Sequence, residues 1–183
     1  MFKFCPSCAS KNIIFEKQRV FRCPDCGFVY YHNTAAATGC IINVPDDSGK
    51  ILFLVRGKEP AKGKLDLPGG FIDPGEGAIE GLYRELGEEI GWTPHIPPGT
   101  SLTSVFTLFA SFPNVYPYKG VQYNTCDMYF TVSAPGLALR DLRLERAEIE
   151  EARLIRPEEI NYGEFAFEST KRAVRAYFSI YHP

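Results

Sequence analysis

The sequence predicts an α/β protein with a mixed sheet covered by helices on both faces, preceded by a small β-hairpin domain that carries four cysteines. Three observations support this fold class: several short segments have strand character, two segments have helical apolar periodicity, and two Cys-x-x-Cys pairs lie near the start. The 183 residues allow a ribbon of about 30 residues and one globular domain of about 150. We place the boundary after residue 33, giving units 1–33 and 34–183.

The four cysteines of the first unit predict a structural zinc site. Cys5 and Cys8 enclose Pro-Ser, Cys23 and Cys26 enclose Pro-Asp, and fourteen residues of β character separate the two pairs. Four thiolates at this spacing suit tetrahedral Zn²⁺ and leave no position for a substrate. Disulfides are the alternative, but no signal peptide precedes the cysteines. The chain also lacks an apolar run of membrane-spanning length, so we expect a cytoplasmic protein without a membrane partner.

The second unit predicts strands followed by a closing helix. Segments rich in β-branched and aromatic residues predict strands at Ala35–Val44, Ile51–Val55, Ser101–Ala110, Thr125–Val132 and Ala152–Ile155, with a turn over residues 46–49. The C-terminal segment has helical periodicity, and its predicted inner face comprises Ala173, Val174, Tyr177, Phe178 and Tyr181. Cys40 and Cys126 lie in apolar strand patterns, so we expect both to be inert core thiols.

A helix rich in carboxylates is predicted between these strands. From Ala78 onward apolar residues recur at three- and four-residue steps, and Gly91 is placed to end the helix. The three residues Glu85, Glu88 and Glu89 then lie within about a third of a turn of one another, beside the buried stripe. Their mutual repulsion would be relieved by a hard cation such as Mg²⁺ or Mn²⁺. Arg84 lies four residues before Glu88 and can pair with it.

The alternative for this segment is an ordinary solvated acidic face, but the surrounding residues favour a functional site. Gly69-Gly70, Glu76 and Arg84-Glu85 all lie in register with the glutamates. The run from Gly70 to Trp92 resembles the Nudix box and matches its consensus at every defined position. The resemblance implies an α/β/α sandwich that hydrolyses nucleoside diphosphates linked to another group.

The same resemblance implies roles for individual residues. Glu85, Glu88 and Glu89 would bind the catalytic metal, Gly69 would add a backbone carbonyl, and Glu76 and Arg84 would orient them. Metal ions would bridge the pyrophosphate oxygens and activate a water for attack on phosphorus. Either Glu85 or a loop glutamate such as Glu148 can act as the general base, and the sequence does not choose between them.

The combination of ribbon and box resembles the NADH pyrophosphatase branch of that family. This branch carries S-Q-P-W-P-F-P-x-S after the box, and the chain offers Ser111–Lys119 there, with Ser111, Pro113 and Pro117 matching. A proline-rigidified loop with exposed aromatics would stack on a base or nicotinamide ring, although such a loop can also turn its aromatics inward. The substrate contacts predicted from this segment are Phe112, Pro113, Asn114, Tyr116, Pro117, Tyr118 and Lys119.

Three weaker matches extend the resemblance. Glu148 takes the place of a further metal ligand before a short Glu-Ala-x-Leu strand, although Glu145, Glu150 and Glu151 compete for that role. Tyr31, five residues after Cys26, and Ala166 match substrate contacts of the branch. Either could instead be a core or interface residue.

We therefore expect a Mg²⁺- or Mn²⁺-dependent pyrophosphohydrolase that cleaves NADH or a related dinucleotide into mononucleotides. ADP-ribose or another nucleoside diphosphate conjugate is the alternative substrate, and a non-catalytic nucleotide sensor or RNA-binding module is the alternative class. A net charge of −2 argues against the whole protein as an electrostatic partner of nucleic acid. Because relatives act on NAD-capped RNA, RNA remains a partner only as a capped substrate. A homodimer is compatible with the many aromatic residues.

Overall fold

The computed structural model describes residues 2–17, 19–47 and 49–181, which form two separate sheets and two helices. A small antiparallel sheet contains β1 (Ile14–Glu16), β2 (Val20–Arg22) and β3 (Val29–Tyr31). The large sheet contains β4 (Ala35–Val44), β5 (Lys50–Arg56), β6 (Leu65–Asp66), β7 (Thr107–Tyr118), β8 (Val121–Ser133) and β9 (Ile149–Ile155). The helices are α1 (Ala78–Ile90) and α2 (Glu168–Tyr181).

The small sheet confirms the predicted ribbon. Its strands pair in the order β1-β2-β3, and the Phe15 and Phe21 rings stack with centroids 4.2 Å apart. Both Cys5 and Cys23 are buried. A sheet this small buries little apolar surface, so it needs a staple such as a metal ion to be stable.

The large sheet is mixed, as predicted. At its centre β4 and β8 run parallel, with register from Ala35 opposite Thr125 to Asn43 opposite Ser133. The remaining pairs are antiparallel: β4 with β5, β5 with β6 and β9, and β7 with β8. The predicted turn between β4 and β5 includes Ser48, which lies outside the described residues.

The two helices cover opposite faces of this sheet, which confirms the sandwich. Side chains alternate along β4, so that Cys40 and Ile42 pack with α1, while Ile41 packs with α2. From α1 the residues Leu82, Leu86 and Ile90 are buried, and from α2 the residues Ala173, Val174 and Tyr177. Burying each of the leucine, isoleucine and valine side chains among these contributes about 1.5–3 kcal/mol, so the amphipathic pattern itself fixes which side of each helix faces the sheet.

The strand predicted at Ser101–Ala110 is wrong at both ends. Leu102–Ser104 forms a short 3₁₀ turn, and β7 begins only at Thr107. It then continues through Pro113 and Pro117, where a loop was expected. Because β7 lies at one end of the strand order, proline nitrogens that cannot donate are tolerated there. The proline-rich segment is therefore one arm of a long β7–β8 hairpin.

The expectation that both Cys40 and Cys126 are core thiols holds for Cys40 alone. Cys40 is fully buried in the core under α1, whereas Cys126 on β8 is exposed. The apolar residues around Cys126 gave it the pattern of a buried strand, but alternate side chains of β8 point to opposite faces. Among the described residues, neither helix has both the length and the apolar character needed to cross a bilayer.

Candidate active site

A glycine turn leads from β6 to α1 and lies against strand β4. Backbone bonds join Thr38 N to Gly70 O at 2.8 Å and Cys40 N to Pro68 O at 2.9 Å. Gly69 has φ +138°, and a Cβ there would lie 2.3 Å from the Thr38 carbonyl oxygen. A Cβ on Gly70 would lie 2.5 Å from Glu85 Oε1. Both glycines are therefore required by close packing, since any side chain would push the turn away from the strand or displace the glutamate.

Arg84 links this turn to the acidic face of α1. Its guanidinium donates two parallel bonds to Glu76, Nε to Oε1 at 2.8 Å and Nη2 to Oε2 at 3.0 Å, and a further bond to the Phe71 carbonyl oxygen at 3.0 Å. Nη1 donates to Glu85 at 2.9 Å and to Glu88 at 3.0 Å. The bond from Arg84 lowers the pKa of Glu76. This arrangement holds the carboxylates in fixed positions.

Glu89 occupies a different environment from the other carboxylates. Its Oε2 accepts a bond from the Gly69 backbone N–H at 2.9 Å. Burial raises the pKa of Glu89 to about 8, and the negative charges of Glu85, Asp66 and Glu148 add to that rise. Burial also raises the pKa of Glu85, in spite of its bond from Arg84. Among the described residues Glu89 takes part in no ion pair, so its ionised form lacks a cationic partner.

The donor chemistry at this point suits a hard divalent cation, although among the described residues only the four ribbon cysteines bring their ligand atoms within 4.8 Å of one another. Glu85, Glu88, Glu89 and Glu148 all line one pocket beside the Gly69 turn. Carboxylate and backbone oxygens are the ligands that Mg²⁺ and Mn²⁺ prefer. A cation would also compensate the cluster of negative charge, which Arg84 neutralises only in part.

Glu148 reaches the pocket from the loop before β9. Its carboxylate forms an ion pair with Lys58, which lines the same pocket. The loop is anchored by a bond from the Gly57 N–H to the Glu148 carbonyl oxygen. Of its competitors, Glu145 also lines the pocket. Glu151 instead pairs with Arg153 on the exposed surface of β9.

The pocket has a volume of about 680 Å³, within the usual range for small-molecule sites. From the predicted substrate segment, it is lined by Asn114 and Tyr116. Tyr118 instead lines a second, smaller cavity of about 300 Å³, together with Ala35, Phe71, Tyr116 and Tyr123. Because the segment is a strand, only alternate residues can face the pocket.

The other residues of that segment lie away from the pocket. Pro113 and Pro117 are exposed. The Phe112 ring packs under the Arg172 guanidinium, 4.2 Å from its centroid, and beside Tyr129. Lys119 lies at the turn between β7 and β8, with its amino group 5.2 Å from the Tyr118 ring.

Tyr31 and Ala166 are not among the residues that line the pocket. Tyr31 is exposed at the end of ribbon strand β3. The Ala166 N–H donates to the Leu65 carbonyl oxygen at 2.8 Å. This bond places the next residue, Phe167, in the pocket wall.

A group of polar residues around Arg56 was not predicted from the sequence. Arg56 donates to Asp66 at 3.0 Å and to the Tyr116 hydroxyl at 3.2 Å, and its guanidinium lies 5.1 Å from the centroid of the Phe167 ring. Thr170 donates to the other oxygen of Asp66 at 2.8 Å. Burial raises the pKa of Asp66, and the charge of Arg56 opposes that rise. The available signal was a charged residue at the end of an apolar run in each case, Arg56 after Ile51–Val55 and Asp66 between Leu65 and Leu67.

The four ribbon cysteines converge on one point. The Sγ atoms of Cys5 and Cys26 are 3.6 Å apart, those of Cys8 and Cys23 are 3.7 Å apart, and all four lie within 4.8 Å of one another. A tetrahedral site with Zn–S bonds of about 2.3 Å has sulfur–sulfur edges of about 3.8 Å. Asn12 donates to Asp25 at 2.6 Å, which ties the two cysteine pairs together. The geometry fits the predicted zinc ribbon.

The sandwich, its acidic helix and its glycine turn define a hydrolase that acts with a divalent metal. The NUDIX domain family model matches residues 33–177, and the chain belongs to this family. A crystal structure of a NUDIX hydrolase from Nitrosomonas europaea has the same fold, with a TM-score of 0.66 and 25% identity over 99% of this chain and 93% of that one.

Curated relatives match a shorter part of the chain. The NAD-capped RNA hydrolase NudC of Chromobacterium violaceum is 34% identical over 89 residues, covering 49% of this chain and 32% of the relative. The ADP-ribose pyrophosphatase of Methanocaldococcus jannaschii is 38% identical over 68 residues, covering 37% of this chain and 38% of the relative. The match therefore spans only about a third of the length of these relatives.

Proposed function

We propose that this Nudix hydrolase cleaves the diphosphate bridge of NADH or a related dinucleotide and releases two mononucleotides. The observation that carries this proposal is a single pocket that brings the acidic face of α1 together with an aromatic and polar wall from β7, β8 and α2. The acidic side suits the reacting diphosphate with its metal. The opposite wall suits a nucleoside.

In this proposal Glu85, Glu88 and Glu89 hold Mg²⁺ or Mn²⁺, with the Gly69 carbonyl and Glu148 as further ligands. The bound metal supplies charge neutralisation of the diphosphate and lowers the pKa of a water. Arg84 and Glu76 keep the helix glutamates in position through their paired bonds. Glu85 and Glu148 both remain candidates for the base that takes the proton of the attacking water.

The contacts of the nucleoside are proposed from the pocket wall. Tyr116 and Phe167 offer rings for stacking, and Asn114 offers an amide for hydrogen bonding. Arg56, paired with Asp66 and lying between these rings, adds a guanidinium to the wall that faces the nucleoside. The ribbon, with its four cysteines around Zn²⁺, has a structural role, and the boundary after residue 33 stays a proposal.

ADP-ribose is the second candidate substrate, and the Methanocaldococcus jannaschii relative supports it by name. The NudC relatives support an NAD-containing substrate, including the NAD cap of an RNA. All these substrates share a diphosphate between two ribose groups. The non-catalytic alternative is disfavoured because every glutamate of the box is present.

The test is mononucleotide release from a panel containing NADH, NAD⁺, ADP-ribose, FAD and diadenosine polyphosphates, with Mg²⁺ or Mn²⁺. We expect the highest kcat/KM for NADH or NAD⁺. A clear preference for ADP-ribose would leave the proposed cleavage of a diphosphate in place and make ADP-ribose the substrate instead of a dinucleotide. Failure to cleave any member would contradict the proposal and favour the sensor.

A further inference from the structure

Strand β8 contributes two buried polar side chains to the pocket that the proposed hydrolysis does not use. Asp127 is 8% exposed and Thr125 is 3% exposed, and both line the pocket. They are two residues apart on one strand, so their side chains point to the same face of the sheet. Tyr129, the next residue on that face, packs in the core beneath α2. The pair therefore lies on the α2 side of the sheet, whereas the metal-binding glutamates come from α1 on the other side.

Asp127 has one oxygen engaged and one available. Ser169 Oγ donates to Oδ2 at 2.7 Å, and the Tyr129 hydroxyl approaches the same atom at 3.5 Å. Among the described residues no donor reaches Oδ1. Oδ1 therefore remains free to accept a hydrogen bond from a ligand in the pocket that Asp127 lines.

Thr125 provides a second, independent sign of a ligand. Its hydroxyl is buried and has no hydrogen-bond partner among the described residues. Buried hydroxyl groups are normally bonded, so this orphan in the wall of a binding pocket indicates a missing partner. The hydroxyl can donate as well as accept, whereas the carboxylate only accepts.

Together, the Asp127 carboxylate and the Thr125 hydroxyl are complementary to a planar group that carries an N–H₂ donor next to an acceptor. An N–H₂ group can donate to Asp127 while an adjacent acceptor receives the Thr125 hydroxyl. The carboxamide of nicotinamide and the amino edge of adenine both present such a pair. A carboxylate in place of the carboxamide would be repelled by Asp127, and a carbonyl in place of the amino group would leave Asp127 without its donor.

We propose that Asp127 and Thr125 form a specificity subsite for the base edge of the substrate, selecting an N–H₂ donor next to an acceptor. This inference rests on the proposed function and specifies the nucleoside that the site takes. Ser169 is a positioning residue, because it orients Asp127 without reaching the pocket wall itself.

The experiment compares kcat/KM for three dinucleotides with Mg²⁺: NAD⁺, its analogue with nicotinic acid for nicotinamide, and its analogue with hypoxanthine for adenine. In the unmodified protein we expect NAD⁺ to exceed one analogue by at least about tenfold, because a buried charged acceptor loses its donor. Discrimination against the nicotinic acid analogue assigns the subsite to nicotinamide. Discrimination against the hypoxanthine analogue assigns it to adenine.

Two variants test whether Asp127 and Thr125 cause the discrimination between NAD⁺ and its analogues. Asp127→Asn should reduce the discrimination by about tenfold, because the amide is uncharged and can itself donate. Thr125→Val keeps the shape and should raise KM for NAD⁺ several-fold more than for the disfavoured analogue. This second variant carries the test if circular dichroism shows that Asp127→Asn does not fold. Asp47→Asn, a carboxylate-to-amide change at the surface pair with Lys50, is the matched control and should leave all ratios unchanged.

Equal kcat/KM for the three dinucleotides would overturn the proposed subsite but not the proposed function. The same follows if the ratios of kcat/KM between NAD⁺ and its analogues are unaltered in both variants. Absence of turnover with all three, and also with NADH, ADP-ribose, FAD and diadenosine polyphosphates, would overturn the proposed function together with the subsite. The two failures are therefore distinguishable in one set of measurements.

Discussion

Each carboxylate of the acidic helix has a different set of contacts. Arg84 binds Glu85 and Glu88, so the charge of these two is partly compensated by the protein. The Glu89 carboxylate, by contrast, accepts a hydrogen bond from the Gly69 N–H and has no ion pair among the described residues. Burial raises its pKa to about 8, which marks it as the carboxylate most dependent on an added cation.

Replacing Glu89 with Gln should therefore lower kcat by at least about a hundredfold. The amide oxygen can still accept the bond from Gly69, and an uncharged group suits this buried position, so the fold should remain. Steady-state hydrolysis of the preferred dinucleotide and thermal melting measure the two effects. Glu158→Gln, at a side chain that is 68% exposed and does not line the pocket, is the control. Full activity in Glu89→Gln would remove Glu89 from the proposed metal ligands.

Cys126 and Cys40 should differ sharply in their reaction with iodoacetamide. Burial raises the pKa of the Cys40 thiol well above its usual range, and the side chain is closed to solvent. Cys126 is exposed on β8. Thiolates are the reacting species, so peptide mass mapping of the native protein should find alkylation at Cys126 and none at Cys40. Denaturant should abolish the difference, and labelling of Cys40 in the native protein would contradict the packing of β4.

At the scale of elements, helix α1 shows how its end is fixed by one glycine. Gly91 has φ +61°, and its N–H bonds to the Gly87 carbonyl oxygen at 3.1 Å. A Cβ on Gly91 would lie 2.7 Å from the Arg143 Cβ. A Cβ on Gly87 would meet only Thr93 at 3.7 Å, an ordinary contact. Gly87 within the helix and Gly91 at its C-terminal cap are thus required to different degrees.

Gly91→Ala should lower the free energy of unfolding by about 1–2 kcal/mol, through left-handed strain and the clash with Arg143. Gly87→Ala should raise it by about 0.5–1 kcal/mol, because alanine favours the helix and loses less entropy on folding. Urea denaturation of both variants beside the parent protein measures the difference. A Gly91→Ala variant as stable as the parent protein would show that the left-handed conformation at Gly91 does not control stability.

At the scale of the whole molecule, the ribbon and the sandwich each have their own sheet and their own hydrogen bonds. Within the described residues, no hydrogen bond or ion pair joins the ribbon segment before His32 to the sandwich. The sandwich has a core on each face of its sheet. The ribbon has a small aromatic cluster and four converging thiols. Its stability should therefore depend on the metal far more than that of the sandwich does.

Removing zinc with a strong chelator should unfold residues up to about 33 and leave the sandwich folded. Limited proteolysis followed by mass spectrometry should then yield a stable fragment that begins near residue 34, whereas the zinc-loaded protein resists cleavage there. Added Zn²⁺ should restore resistance. Loss of the cooperative thermal transition of the sandwich on chelation would contradict the proposed boundary.

Local features were predictable from the sequence because they depend on neighbours in the chain. Helix α1 begins at Ala78 and ends before Gly91, as periodicity and capping indicated. The spacing of the cysteine pairs predicted their convergence. The proline segment was misjudged, because proline signals a loop unless the strand lies at the edge of a sheet, and edge position is a property of the assembled sheet.

The sequence by itself determined the helix glutamates, the glycine turn and the thiol cluster, since spacing along a few turns of chain places these groups together. Only the tertiary structure decided the opposite wall of the pocket. Asp66 meets Thr170 across 104 positions, and Asp127 meets Ser169 across 42. Such pairs are created by the pairing of β4 with β8 and the packing of α2 on the sheet, which no local pattern encodes.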